Sequence, residues 1–536
     1  MPLLTLPPEL LHESISSLPI DDIARLLKVG NRALTRIIST SPMIQYRIAQ
    51  DAAGVVETTT FARAGTCMVE RHRTLKEREE RWLALNPVNR VSVALGCDWE
   101  QVNGRIVMEH DFGVLRRLNP TNPASTCTIL PFSSVGVPTW RQLHSDPTQI
   151  FFHVCAELDL FISLACVAIP AQPNRKRLQF SCRTLGSGGT LPHPQCLYPG
   201  TIGIIAIPAT YDGFPLTVID VADATIVFSL MFSNSREYKD YNKLHIFDWT
   251  TGNRRAPPRP ISNAAFTFLD PDHIVVVVIA PRLGLAVVSL RAAEPKKVHR
   301  DASSASRTNE VHEGSDRRHR GQFLASGAAS MFAVKYDIAS VLRNGDGQVA
   351  STVVFVIQRA GLRQLFEQRR NRNSRSRVRA VRLSDWAPYI SRAFTPWDAF
   401  QDYAESICGH RFVTLEQASA DASDLPVLRV RDFNPSTVRA IRRRIQDTGG
   451  EELDLGTAIA RVVEADAAYA RGLEQFQSPL VTQRVVSALP FVEITSKERF
   501  DYSAVYITND HIIGEKGGEE QDGEAGLEIL YFSTGV

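Results

Sequence analysis

From about residue 90 onward one texture dominates the chain: short runs rich in Val, Ile, Leu, Phe and Thr alternate with turn-forming residues. The clearest runs are residues 105–108, 149–154, 160–169, 202–207, 216–221, 225–232, 244–249, 274–279, 284–290, 332–336, 352–357, 411–415, 427–431, 504–507 and 528–532. Turn punctuation such as Asn344-Gly345-Asp346-Gly347 separates many of them. β-branched and aromatic side chains suit a pleated, half-buried surface, and Gly, Asn and Asp supply the tight turns. Many short strands with regular turns predict a mainly-β region of closed or radial architecture.

The first residues follow a different period. Residues 3–48 predict three short helices. Thr5 can cap the first, Pro7 and Pro8 suit its first turn, and Leu10, Leu11, Ile15 and Leu18 recur at helical spacing until Pro19. Asp21 and Asp22 favour the start of a second helix, which carries Ile23, Leu26, Leu27 and Val29. Gly30 and Asn31 break it, and Leu34, Ile37 and Ile38 mark a third. So small a unit buries too little surface to be robust alone and is expected to dock on something. Two further helices are expected over 43–56 and 71–86. In the second, Trp82 and Leu85 are the inward anchors, and the charges from Lys76 to Arg81 form a solvated face.

The fold class expected is α+β and multidomain. A three-helix head over 1–48 leads through a helical linker over 49–89 into a mainly-β domain over 90–536. Disordered insertions are expected near 296–320 and 363–382, where charge, Ser and Arg replace apolar periodicity. Apolar residues at 44% and charged residues at 22% exclude a largely disordered chain. With 60 Lys plus Arg against 58 Asp plus Glu, the net charge of +2 supplies no global field toward nucleic acid or anionic lipid. The longest apolar run, residues 274–280, falls far short of the roughly 20 residues that a membrane span needs. Among the eight cysteines, Cys67, Cys97, Cys127, Cys155, Cys166, Cys182, Cys196 and Cys408, no Cys-x-x-Cys occurs. A reducing, cytoplasmic or nuclear setting without membrane contact is the expectation.

Residues 244–249, LHIFDW, followed by Thr250-Thr251-Gly252, resemble the outer strand and turn of a WD-type propeller blade. Residues 428–433 repeat the texture, and residues 286–290 and 528–532 extend it. A degenerate β-propeller is therefore expected, with a sandwich or barrel pair as its rival.

Motifs for chemistry are sparse. LGSGG at 185–189 lacks the Lys-Ser/Thr ending of a phosphate loop and reads as a flexible loop. His193 with Cys196, and Cys408 with His410, each fall short of the ligand number a metal needs or of a nucleophile–base–orienter set. No catalytic residue, metal or cofactor is assigned, and a non-catalytic role is expected.

LPPELLHESISSLPIDDIARLLKV, residues 6–29, resembles an F-box. SPMIQYRIAQDAAGVVE at 41–57 and RHRTLKEREERWLALN at 71–86 are similar to the segment that follows the box in fungal F-box proteins. LPFVEITSKERFDYSAVYITNDHIIGEK at 489–516 is similar to their closing strands. Ser14, Gly30 and Ala33 depart from the pattern. The resemblance implies a substrate receptor of an SCF ubiquitin ligase, acting in protein degradation. A Skp-type adaptor would join it to a cullin–RING scaffold, while the β domain would hold an unknown protein client. It further implies adaptor contacts at Leu6, Pro7, Leu10, Ile15, Leu18, Ile23, Leu26 and Leu34, some of which must instead form the core of the box.

RRNRNSRSRVR at 369–379 offers a candidate anion-binding set: Arg369, Arg370, Arg372, Arg375, Arg377 and Arg379. Guanidinium forks suit phosphate. This tract carries the alternative expectation, a nuclear or nucleic-acid-associated propeller scaffold. A solvated loop explains the same residues, and nucleic acid is the less favoured partner. A second basic group, Arg439 with Arg442, Arg443 and Arg444, is expected on a short helix capped by Ser436.

Overall fold

The computed structural model of the chain describes residues 6–57, 65–94, 105–109, 112–116, 127–131, 141–143, 149–155, 158–211, 215–232, 236–261, 265–278, 284–290, 323–325, 330–341, 348–372, 378–394, 406–417, 424–464, 489–516 and 526–533. The expected insertion at 296–320 lies outside the described residues.

The head is helical. α1 (Pro8–Ser17) begins at the proline pair, α2 (Ile20–Lys28) carries Asp21 and Asp22 in its first turn, and α3 (Arg32–Thr40) follows Gly30, whose φ is +70°. Asn31 caps α3 by accepting from the backbone N–H groups of Ala33 and Leu34. Ser41 caps α4 (Pro42–Ala53) in the same way through Ile44, and Gly54 ends it in the left-handed region. Ile15, Ile23, Leu34, Ile38 and Ile44 form one small buried core.

α5 (Met68–Ala84) joins the head to the strands. Its buried residues, Arg71, Leu75, Arg78 and Trp82, fall on one face at helical spacing. Trp82 and Leu85 are buried, as their apolar spacing predicts, and Trp82 stacks on Phe532 at 4.0 Å between ring centroids. The wholly solvated charge run expected over 76–81 is corrected, because Arg78 is 1% exposed.

The strand-rich region is built from antiparallel sheets. Three consecutive meanders comprise Arg105–Glu109 to Arg141–Leu143, Gln149–Cys155 to Ile202–Pro208, and Leu216–Ala222 to Arg254–Pro260, each with four strands. Phe266–Asp270, His273–Val278 and Gly284–Ser289 take Val378–Arg382 as their fourth strand. Met331–Val341, Gln348–Gln358 and Ser391–Phe394 form a three-stranded sheet. Six strands, running in space from Ile407–Cys408 through Val427–Asp432 and Phe491–Arg499 to Glu452–Asp454, form the widest sheet. In the last four-stranded sheet Gly526–Tyr531 pairs with Asn89–Ala94, directly after α5. Val55–Glu57 pairs with Phe323–Ala325 apart from these.

Among the described residues each sheet is open, and none closes on itself. The expected degenerate β-propeller is therefore corrected to a helical head followed by a set of open antiparallel sheets of unequal width. The reason is physical. The motif around Leu244–Trp249 specifies one strand and its turn, and a hairpin's local chemistry does not determine how successive sheets join. The disorder expected near 363–382 is also corrected: α6 (Arg359–Arg372) and the strand Val378–Arg382 occupy most of it. α7 (Leu383–Ile390) and α8 (Pro435–Thr448) complete the described helices. Among the described residues no helix is long and apolar enough to cross a membrane.

Candidate functional site

Among the described residues of the β region, three exposed apolar side chains lie close in sequence on the loop that follows the strand Gln172–Thr184. Leu191, Leu197 and Tyr198 are 61%, 79% and 52% exposed. A loop that shows such residues to solvent would ordinarily be mobile, yet this one is tied down at nearly every step.

The ties begin at 185–189. Leu185–Ser187 is a tight helical turn, with the N–H of Leu185 bonded to the Asp159 carbonyl and that of Gly186 to its carboxylate, both at 2.8 Å. Gly189 has φ +77°, and a Cβ there would meet Phe161 at 2.8 Å, so glycine is required for close packing rather than for mobility. The flexible loop expected at 185–189 is corrected accordingly. The chain then runs back along its own strand: Thr184 N–H donates to Leu191 O at 2.9 Å, and His193 N–H donates to Cys182 O at 3.2 Å. A turn closes with Cys196 N–H on His193 O at 2.9 Å, and Leu197 N–H reaches Thr250 O at 2.6 Å.

His193 is fully engaged. Its Nε2 donates to Leu158 O at 2.9 Å, and its Nδ1 accepts from Gln195 N–H at 3.2 Å. Its ring stands edge-on to Trp249 at 4.9 Å. Burial lowers its pKa, so the imidazole stays neutral with both nitrogens spent on the backbone. It is a structural pin rather than a base. The Cys196 thiol donates to Tyr198 O at 3.0 Å and to Trp249 O at 3.4 Å. Sequence reading reached His193 and Cys196 but missed the apolar side chains around them. Pro192, Pro194 and Pro199, which restrict the backbone between those side chains, were the available signal.

Among the described residues a dense charge cluster lies elsewhere, where α5 meets the six-stranded sheet and the sheet that holds Gly526–Tyr531. Arg78 Nε bonds Asp510 at 2.7 Å, and the same guanidinium contacts Glu79 and the Asn509 carbonyl. Glu79 also pairs with Arg411, which lies 3.5 Å from Asp432 and 4.7 Å over the ring of Trp82. Burial opposes the charge on Glu79, but Arg411 and Arg78 outweigh it and hold its carboxyl below the usual range. Burial pushes Asp432 up to about 6, and burial beside Arg411 holds His410 down at about 3. His410 thus belongs to a joint of paired buried charges, and the Cys408 thiol bonds the Asn509 side-chain oxygen there at 3.4 Å. On the six-stranded sheet Arg429 and Arg431 pair with Glu416, and Arg461 with Glu493. Among the described residues no three His, Cys, Asp or Glu side chains are grouped so as to hold a metal ion.

The eight residues expected to contact an adaptor are divided by the fold. Ile15, Ile23 and Leu34 are core, while Leu6, Leu18 and Leu26 are half-buried. Only Pro7 and Leu10 are exposed, Leu10 at 49%; Leu27 and Val29, at the end of α2, are exposed as well. Arg369, Arg370 and Arg372 lie on α6 and Arg379 on the strand Val378–Arg382, while Arg375 and Arg377 lie outside the described residues. α8 carries Arg439, Arg442, Arg443 and Arg444, and Asn434 rather than Ser436 caps it.

No family model matches this chain, and no curated protein matches it. The likeness to fungal F-box proteins is corrected on that finding, and with it the assignment to an SCF ubiquitin ligase. The nucleic-acid-associated alternative was framed on a propeller, and it falls with the closed architecture.

Proposed function

We propose that this chain is a non-catalytic recognition scaffold that binds a polypeptide partner through the loop 191–199. The observation that carries this reading is the loop itself, where Leu191, Leu197 and Tyr198 project from a backbone already hydrogen-bonded into one conformation. Preordering lowers the entropic cost of association. A well-packed aromatic anchor such as Tyr198 at the centre of an interface can supply about 2 kcal/mol or more. The fit is to a partner with an apolar, extended face that covers Leu197 and Tyr198.

The test places a photo-reactive residue at position 197 of the full chain and identifies what it captures in cells. The captured protein is then purified and its affinity measured against the unmodified chain and against Leu197→Asp plus Tyr198→Ser. A loss of about 30-fold or more is expected in the double variant, with no change for Arg439→Ser on the remote helix α8. Equal affinity for the double variant, or no capture at position 197, overturns the reading.

A further inference from the structure

The same loop holds a pair of thiols. Cys182 lies on the strand Gln172–Thr184, opposite Ile162, and is buried in the apolar core shared by two sheets. Cys196 packs against that core from the loop side and is half-buried. Two backbone bonds bring them together. His193 N–H on Cys182 O lays the loop along the strand, and Cys196 N–H on His193 O turns it back over Cys182. Both side chains border the same apolar cluster, and each residue is one backbone hydrogen bond from His193.

We propose that Cys182 and Cys196 are a thiol-modification site, a dithiol that is oxidised reversibly to a disulfide by small-molecule disulfides. Both are free thiols here. Their division of labour follows from position. Cys196 is the accessible sulfur, and the Cys182 thiol donates toward it, which draws the Cys196 thiol down to about 6. The same bond, with burial, pushes the Cys182 thiol up. In its thiol form Cys196 donates to Tyr198 O. The reactive form is the thiolate of the more accessible partner, formed when Cys196 gives up the S–H it holds on Tyr198 O, with a buried resolving thiol beside it.

The chemistry balances in two exchanges. The Cys196 thiolate attacks one sulfur of the small disulfide; that S–S bond breaks, and one small thiolate leaves and takes up a proton. Cys182 then gives up its proton and attacks Cys196 Sγ in the mixed disulfide, expelling the second small thiol. Two protein thiols and one disulfide become one protein disulfide and two thiols. The protein sulfurs are oxidised by two electrons, and the small disulfide is reduced by two. Oxidation removes the S–H that Cys196 gives to Tyr198 and Trp249, so it acts on the backbone that presents Leu197 and Tyr198.

The inference stands apart from partner binding, because its readout is chemical. The full chain is incubated with oxidised glutathione, free thiols are blocked with iodoacetamide, and peptides are mapped by mass. A peptide joining Cys182 to Cys196 is expected as the main product, lost on treatment with excess dithiothreitol. Cys196→Ser should abolish it, and Cys182→Ser should leave glutathione trapped on Cys196. Only the wild-type chain is needed for refutation. A stable glutathione adduct on wild-type Cys196, a main cross-link involving any other cysteine, or an unmodified pair each overturns the proposal.

Discussion

Replacing Arg78 by Met should cost about 3–5 kcal/mol of folding stability, the usual loss when one partner of a buried ion pair is removed. The geometry places the change toward the upper part of that range. Arg78 is 1% exposed and Asp510 2%. The second carboxylate oxygen of Asp510 has no hydrogen-bond partner among the described residues, so nothing there replaces the lost guanidinium. Glu79 suffers less, because Arg411 still pairs with it. Asp510→Asn in the same chain removes the stranded charge and should restore about 2 kcal/mol or more relative to Arg78→Met alone. Urea unfolding of the single variants and the double variant, followed by fluorescence, measures the coupling directly. Trp82 lies one turn from Arg78 and stacks on Phe532, so its emission reports this joint. A cost below about 1 kcal/mol for Arg78→Met, or strictly additive effects in the double variant, would refute the argument that this pair locks the head to the sheets.

Stability should fall as the pH drops below neutrality. Burial holds His410 down at about 3 and His511 at about 4, against 6.5 when unfolded. Below pH 6.5 the unfolded chain takes up protons that the folded one refuses, and each His removes about 1.4 kcal/mol per pH unit. Arg411, Glu79, Arg78 and Asp432 face His410, and Asp510 and Arg78 face His511. Asp432 works in the opposite direction: folded, it binds its proton near 6 rather than 3.8, so it returns a similar slope below pH 6. The net expectation is a lower urea midpoint at pH 5 than at pH 7, and an unchanged or higher one would contradict it. Gly514→Ala places a Cβ against the ring of Tyr502, within contact too close to keep, and should lower stability by about 1–3 kcal/mol. A melting temperature equal to that of the wild type would show that the ring moves freely.

Local chemistry made the elements legible. The runs expected at 160–169, 216–221 and 225–232 appear as Leu160–Ile169, Leu216–Ala222 and Thr225–Met231, and the helix expected over 71–86 as Met68–Ala84. Alternation and helical spacing act over a few residues, so a single sequence displays them. What joins the elements was hidden. Arg78 looks like one more charge on a solvated helix until Asp510, 432 residues away, is placed beside it. Ile15 and Leu10 look alike as letters, yet one is core and the other solvent-facing. The loop 185–200 misled for the same reason: Gly189 reads as freedom, whereas Phe161 makes it a packing requirement.

The pairing of Asn89–Ala94 with Gly526–Tyr531 has a bearing on synthesis. A ribosome delivers the first of these strands long before the second exists, so its backbone edge waits unpaired while the intervening sheets emerge. Such a strand is a template for wrong partners, and long-range pairing closes slowly. The nascent chain should therefore lean on chaperones until Gly526–Tyr531 arrives and zips the early edge shut.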